Sequence, residues 1–394
     1  MSNSRNHIAA LTVARGIAAI WVLAHNDGYF RQCSGIDLST GLLAKGYLAV
    51  DFFLLLSGFL IGHLYTDRVV TATPSKAATY FHFVLNRLAR IYPLYIFLLL
   101  VRVGIESVKY ALGVEADFEG PAPFEGANSP GALAANAAMI QAWGFYNQPT
   151  WVPSFWSVSA EWFAYLLFPP LIWAAYRFWQ TPRLAALTVI GSIVFLAFGI
   201  RIHGDVEFPV HYSLLRCVPE FCIGIILAIH WKWIQPRVAN ASPNAIVVAA
   251  TMVIVIASHF LWNDLVSVIA AIPLLAGLAA KENARNDKEA SRTTSTVARP
   301  FIYLGKISYA VYLSHLIVQS GYRIFETKFF GEPTPSLAWL GFGIRLGIVL
   351  IGSTALHHMI EVPARNRIRN WLNSIPAFKN PASATQPGQN SDSA

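Results

Sequence analysis

The sequence predicts an all-α fold, a polytopic transmembrane bundle of about ten helices with both chain ends on the cytoplasmic side. Three observations carry this. The composition is 55% hydrophobic against 13% charged, with a mean hydropathy of +0.46, which is too little polar surface for a water-soluble fold. Apolar runs long enough to cross a hydrocarbon core of about 30 Å recur along the whole chain. Basic residues collect in every second loop between those runs.

The first run, 8–25, is interrupted only by Arg15. It ends in "LAHNDG" without a small-x-small cleavage site, so it reads as a retained span and not a removed signal peptide. The second, 46–65, carries "VDFFLLLSGFLIGHLY", the third, 83–101, opens on "NRLARIYPLY", and the fourth, 157–176, opens on "WSVSAEWF". Further runs follow at 184–201, 211–230, 244–262, 265–280, 300–320 and 337–360.

With the N-terminus inside, the cytoplasmic loops hold Arg68, Lys76, Arg87 and Arg90, then Arg177 and Arg183, then Lys232 and Arg237, then 281–299, and finally Arg365, Arg367 and Arg369. The loop 102–156, with Glu106, Glu115, Asp117, Glu119 and Glu125, falls outside. Residues 1–370 form one transmembrane domain. The segment 281–300 reads as a solvated linker, and 371–394 as a disordered cytoplasmic tail. A net charge of +8 spread between apolar spans reflects topology and predicts no nucleic-acid partner. Cys33, Cys217 and Cys222 show neither a disulfide framework nor metal-ligand spacing, so no metal is expected.

Ionisable groups at membrane depth are costly, face the bundle interior and mark sites. In the second span Asp51, Gly58 and Gly62 share one face, either a packing seam or part of a site. In the fourth, Ser157, Glu161 and Tyr165 form a stripe. In the sixth, Arg216, Glu220 and Gly224 repeat that spacing, so Arg216 and Glu220 can pair along the helix. In the ninth, Ser308, Tyr312, His315 and Gln319 align. The directions of these spans put His25, Asp51, Glu161, Arg216, Glu220 and His315 in the outer half, where they predict a polar cavity suited to acid–base chemistry. Arg15, Arg87 and Arg90, with Lys306, fall in the inner half as a basic funnel for an anionic donor. Arg87 and Arg90 taken alone read first as topology signals, and Arg15 tips the balance toward a site. Trp156, near Trp151 and Trp162, either stacks on a sugar or belongs to an aromatic belt.

These residues lie in motifs that resemble the acyltransferase family 3 membrane proteins, which include bacterial O-antigen and exopolysaccharide O-acetylases. The motifs are "ARGIAAIWVLAH", "AVDFFLLLSGFLI", "RLARIYPLY", "FWSVSAEWFAYLLFP", "LGKISYAVYLSH" and "IEVPARNRIR", in the family's order from about 8 to 370. The resemblance implies transfer of an acyl group, by default acetyl from acetyl-coenzyme A, to a hydroxyl of a glycan or lipid-linked saccharide at the bacterial inner membrane. It implies His25 as the catalytic histidine, Arg15 as its partner on the first span, and Arg87 and Arg90 as the arginines near the donor. The residues themselves add Asp51 and Glu161 to orient or neutralise His25, and Trp156, Ser157, Arg216, Glu220 and His315 as acceptor contacts. Coenzyme A is a substrate in this reading and no bound cofactor is expected.

One residue fewer separates Arg15 from His25 than in the family pattern. In a regular helix this turns His25 by about 100° and sets Asn26 over Arg15, unless the helix end unwinds. The sequence carries no esterase-like domain after the tenth span, so a second acyl-transfer module, if needed, is a separate periplasmic protein. The alternative reading is a transporter or flippase of glycan-linked or acylated substrate. The absence of an internal repeat or symmetric broken helices weighs against it.

Overall fold

Inside a bilayer every backbone N–H and C=O must be satisfied within its own segment, and runs this apolar meet that demand as helices. The computed structural model describes residues 9–71, 76–113, 122–288, 298–330 and 334–375, and among these the regular elements are all helical. In order they are α1 (Ala9–Asn26), α2 (Gly28–Ser34), α3 (Leu48–Val70), α4 (Lys76–Ala111), α5 (Pro130–Ala137), α6 (Phe155–Trp179), α7 (Pro182–His203), α8 (Ser213–Ile229), α9 (Trp231–Asn240), α10 (Pro243–His259), α11 (Asp264–Lys288), α12 (Ala298–Phe330), α13 (Pro335–Leu356) and α14 (Val362–Ser374).

Among the described residues nine helices are long and apolar enough to cross a membrane, and ten if α9 and α10, which meet at a 93° bend, make one span. Ten crossings return the chain to the face where α1 begins, here called the N-terminal face. Asn26 marks the opposite face. Large apolar side chains such as Leu187, Val194 and Phe198 on α7 and Ile348 and Ile351 on α13 stay exposed on the outside of the bundle, where lipid would cover them.

Several elements run past their expected bounds. α4 has 36 residues, about 54 Å at about 1.5 Å per residue, so it stands well clear of any hydrocarbon core. α12 continues to Phe330 and α11 to Lys288. Of the expected linker, 289–297 lies outside the described residues, as do Glu115, Asp117, Glu119 and the tail beyond 375; residues 371–374 are still helical, in α14. α2 and α5 were not expected. α5 sits inside the outer loop and is started by Ser129, whose hydroxyl accepts from the Ala132 N–H, and by Pro130 at its first position.

Two glycine crossings set the geometry of the interior. A Cβ on Gly305 would lie 1.8 Å from the Thr12 carbonyl oxygen, and one on Gly16 would lie 2.8 Å from the Gly305 nitrogen, so α1 and α12 touch backbone to backbone. A Cβ on Gly58 would meet the Phe221 carbonyl oxygen at 2.1 Å and one on Gly224 the Leu55 carbonyl oxygen at 2.2 Å, which locks α3 onto α8 in the same way. The face of α3 bearing Asp51, Gly58 and Gly62 is therefore the α8 seam. Gly58→Ala should force these backbones apart and lower stability by about 1–3 kcal/mol. Gly191→Ala on α7, with nothing within 4 Å of its Cβ, should leave the melting temperature of the detergent-solubilised protein unchanged.

Candidate active site

The α1–α12 contact and the adjoining α3, α4 and α6 enclose a cavity of about 130 Å³ lined by Arg15, Arg87, Arg90, Ser157, Glu161 and Tyr165, together with Ser57, Ser308, Tyr309 and Tyr312. Glu161 Oε1 accepts from Ser57 Oγ at 2.7 Å and from the Tyr165 hydroxyl at 2.5 Å. Arg87 donates to the Tyr65 hydroxyl at 2.6 Å and lies over the Tyr65 ring. Arg15 and Arg90 are half-buried and lie within electrostatic reach of Glu161 and Glu361. Neither makes a hydrogen bond to a described residue. Glu361 lies in a π-helical turn, His357–Glu361, and accepts from His357 and Arg365. Three guanidinium groups thus face one cavity, and two of them keep their donors free for an anion.

A second group lies toward the opposite face. Arg216, 1% exposed, donates from Nε to Asp51 Oδ1 at 2.8 Å, from Nη2 to Asp51 Oδ2 at 2.6 Å, and to the Tyr47 carbonyl at 3.1 Å. Trp156 covers the guanidinium, 5.4 Å from the ring centre. Arg216 therefore pairs across helices with Asp51 and not along its own helix with Glu220, because the Gly58 and Gly224 crossing brings α3 within reach. Neither Glu220 oxygen has a hydrogen-bond donor among the described residues, and the side chain lies against Asp51 and Arg216.

α1 stays helical to Asn26, so the missing residue is not absorbed by unwinding. Asn26 turns inward and its Nδ2 lies 3.2 Å from His315 Nε2. His25 turns toward the 41–47 loop, with Nδ1 3.0 Å from the Leu43 carbonyl and its ring edge-on to Tyr47. A hydrogen bond to that carbonyl puts the proton on Nδ1 and leaves the Nε2 lone pair free. Donation from Arg31 Nη1, 3.3 Å from the same Nδ1, goes with the other tautomer, and the shorter contact favours the first. Nε2 is 4.0 Å from Glu207 Oε1.

The residues expected to share one outer cavity are thus divided. Glu161 and Ser157 belong with the arginines, and Asp51, Arg216 and Trp156 form a closed ion pair beneath an indole. His315 is bonded to Asn26, with its Nδ1 2.6 Å from the Tyr312 carbonyl. Neither Asp51 nor Glu161 contacts His25, since Arg216 and the Ser57–Tyr165 pair hold them elsewhere. The groups remain linked. Ser157 and the Tyr312 hydroxyl are 2.7 Å apart, and Tyr312 is in the electrostatic field of Arg216, Glu161 and Glu207.

Sequence reasoning missed Glu207, Tyr47 and Asp264, and also Asp27, Arg345 and Glu326. Tyr47 donates to Asp264 at 2.8 Å, and Lys45 pairs with Asp264 at 2.5 Å. Arg345 pairs with Asp27 at 2.6 Å and with Glu326 at 2.7 Å. Arg345 was legible by the rule that found Arg15, a guanidinium inside an apolar run. Among the described residues no three His, Cys, Asp or Glu side chains cluster as metal ligands would.

A bundle whose described elements are all helical, with nine or ten apolar helices and a three-arginine cavity between its central helices, defines a class, a multi-pass membrane protein. The chain belongs to the acyltransferase domain family, whose profile matches residues 8–358. A stretch of 124 residues is 33% identical to "Protein 2 in picA locus" of Rhizobium radiobacter, covering 30% of this chain and 55% of that relative. No solved structure matches.

Proposed function

We propose that the protein is an O-acyltransferase of the bacterial inner membrane. In this reading it takes a short acyl group, by default acetyl, from acyl-coenzyme A at the N-terminal, cytoplasmic face. It delivers that group to a hydroxyl of a cell-surface glycan or lipid-linked saccharide at the opposite face. The observation that supports it most is the pair of half-buried guanidinium groups, Arg15 and Arg90, that have no hydrogen-bond acceptor among the described residues and suit an anionic partner. The N-terminal face is also the basic one, as the positive-inside rule requires of a cytoplasmic surface. The cavity of about 130 Å³ suits the slender arm of the donor and a short acyl chain passing through it.

The donor, when bound, supplies the thioester carbonyl. Arg15, Arg87 and Arg90 bind its phosphates. Glu161, by holding Ser57 and Tyr165, fixes the wall of the cavity. The donor's arm carries the thioester past Ser157 and Tyr312 to the opposite face, where His25 Nε2 takes the proton from the acceptor hydroxyl as its oxygen bonds to the acyl carbon. The carbon–sulfur bond breaks and the thiolate leaves with the proton returned by the imidazolium. Asp51 acts through Arg216, which fixes the Tyr47 backbone against the His25 ring. His315, bonded to Asn26, borders the acceptor's path, while Ser157 lines the donor cavity and Trp156 and Glu220 flank the buried Arg216 pair.

Glu207 stands beside His25 to balance the imidazolium. Burial, with Asp205, Asp51 and Asp264 nearby and only Arg216 opposing them, pushes its carboxyl above the usual carboxylate range. Its charge is present above that raised value and lost as pH falls through it, so activity should drop in mild acid. In Glu207→Gln that ionisation is gone, and the acid limb of log rate against pH should fall less steeply. An unchanged limb would remove Glu207 from the reaction.

The proposal is tested with labelled acetyl-coenzyme A and membranes that contain or lack the protein. Label in the surface-glycan fraction only when the protein is present supports it. Equal label in both, or none where the intact protein and the glycans are present, contradicts it.

A further inference from the structure

A second cavity, of about 380 Å³, lies on the opposite face among α1, α2, α12 and α13, and its lining includes Asn26, Tyr29, Gln319, Arg323 and Arg345. Its volume is within the range of small-ligand pockets. Two of its lining residues carry buried polar atoms with no hydrogen-bond partner among the described residues, the Gln319 Oε1 acceptor and the Arg345 Nη2 donor, which small side-chain rotations would turn toward a ligand. Gln319 is 7% and Arg345 2% exposed. Leaving such atoms unpaired costs free energy that a ligand's own polar groups would recover.

The charges identify the ligand class. The lining holds two guanidinium groups, Arg323 and Arg345, and the carboxylate Asp27, and Arg345 is already bonded to Asp27 and to Glu326 just behind it. The site therefore has no excess charge to attract an anion. A free donor and a free acceptor match a hydroxyl, which both accepts and donates. The Tyr29 ring, backed by the Arg323 guanidinium 5.1 Å from its centre, adds an aromatic wall of the kind that packs on a sugar ring. The inner wall is Asn26, whose amide lies 3.2 Å from His315 Nε2, so one side chain separates an occupant from His315.

We propose that this cavity is the acceptor subsite and that it binds an uncharged glycosyl residue through the Gln319 carbonyl and the Arg345 guanidinium. The assignment rests on the reading of the protein as a transferase to glycan hydroxyls. Its test is a binding measurement that needs no turnover. The full chain in nanodiscs is titrated with neutral oligosaccharides cut from the host's surface polysaccharide and stripped of acyl groups by mild alkali. Labelled acetyl-coenzyme A binding is measured in parallel.

Ser320→Trp fills the cavity from its exposed rim without touching the ion pairs, and Gln319→Met removes the acceptor atom at similar volume. Both should weaken oligosaccharide binding at least tenfold and leave acetyl-coenzyme A binding unchanged, whereas Arg90→Ala should do the reverse. Oligosaccharide affinity equal in the wild type and both variants, or no oligosaccharide binding by the wild type, overturns the proposal. A wild type that binds oligosaccharide in the Gln319-dependent way but not acetyl-coenzyme A overturns the transferase reading and leaves the saccharide site standing.

Discussion

Replacing His25 by Gln leaves the bundle assembled and lowers acyl transfer by about 10²- to 10⁴-fold, the span that a positioned general base contributes. His25 is bonded to the Leu43 carbonyl and edge-on to Tyr47, outside the glycine crossings that hold the helices together. Gln keeps a donor for that carbonyl but has no lone pair basic enough to take a proton from a hydroxyl. The measurement is the initial rate of label transfer, with expression and melting temperature as controls. Full activity in His25→Gln would move the base to His315, which shares the same end of the bundle through Asn26.

Arg15→Ala and Arg90→Ala should each weaken acyl-coenzyme A binding by about tenfold to about 100-fold. A charge-assisted hydrogen bond is worth about 1.5–3 kcal/mol, and about 1.4 kcal/mol is a factor of ten in affinity. Neither arginine donates to a described residue, so its removal strands no acceptor there and the fold should survive. Arg87 is a different case. Its bond to Tyr65 and its seat on two aromatic rings mean that Arg87→Ala mixes lost packing with lost donor affinity. Equilibrium binding of labelled acetyl-coenzyme A to nanodisc-embedded variants measures all three, and unchanged affinity in Arg15→Ala and Arg90→Ala would confine these residues to topology.

The number of spans, their order and the residues that face inward were legible, because hydrophobic runs, i to i+4 spacing and the cost of a buried charge act locally along the chain. Asp51, Gly58 and Gly62 share a face in any helix, and that face meets α8. What the sequence hid is which helix a given face meets. Spacing alone offered Arg216 a partner on its own helix, and only the α3–α8 crossing reveals Asp51 as the nearer acceptor. The same limit merged two polar groups into one expected cavity, since helix direction gives depth in the membrane but not azimuth. Helix ends were hidden for another reason. α4 and α12 extend beyond the apolar run on polar residues, so a hydropathy window stops before Glu326 and conceals the second carboxylate on Arg345. The rotation of His25 was legible, because nine intervening residues in a continuous helix fix its direction.

The two-sided arrangement is tested most directly in sealed vesicles of each orientation, supplied from outside with labelled acetyl-coenzyme A, which does not cross the bilayer. Vesicles with the N-terminal face outward should incorporate label, and the labelled glycan should be found in the lumen. Incorporation from the opposite face, or labelled glycan appearing on the same side as the donor, would contradict a path from the arginine cavity to the His25 end of the bundle.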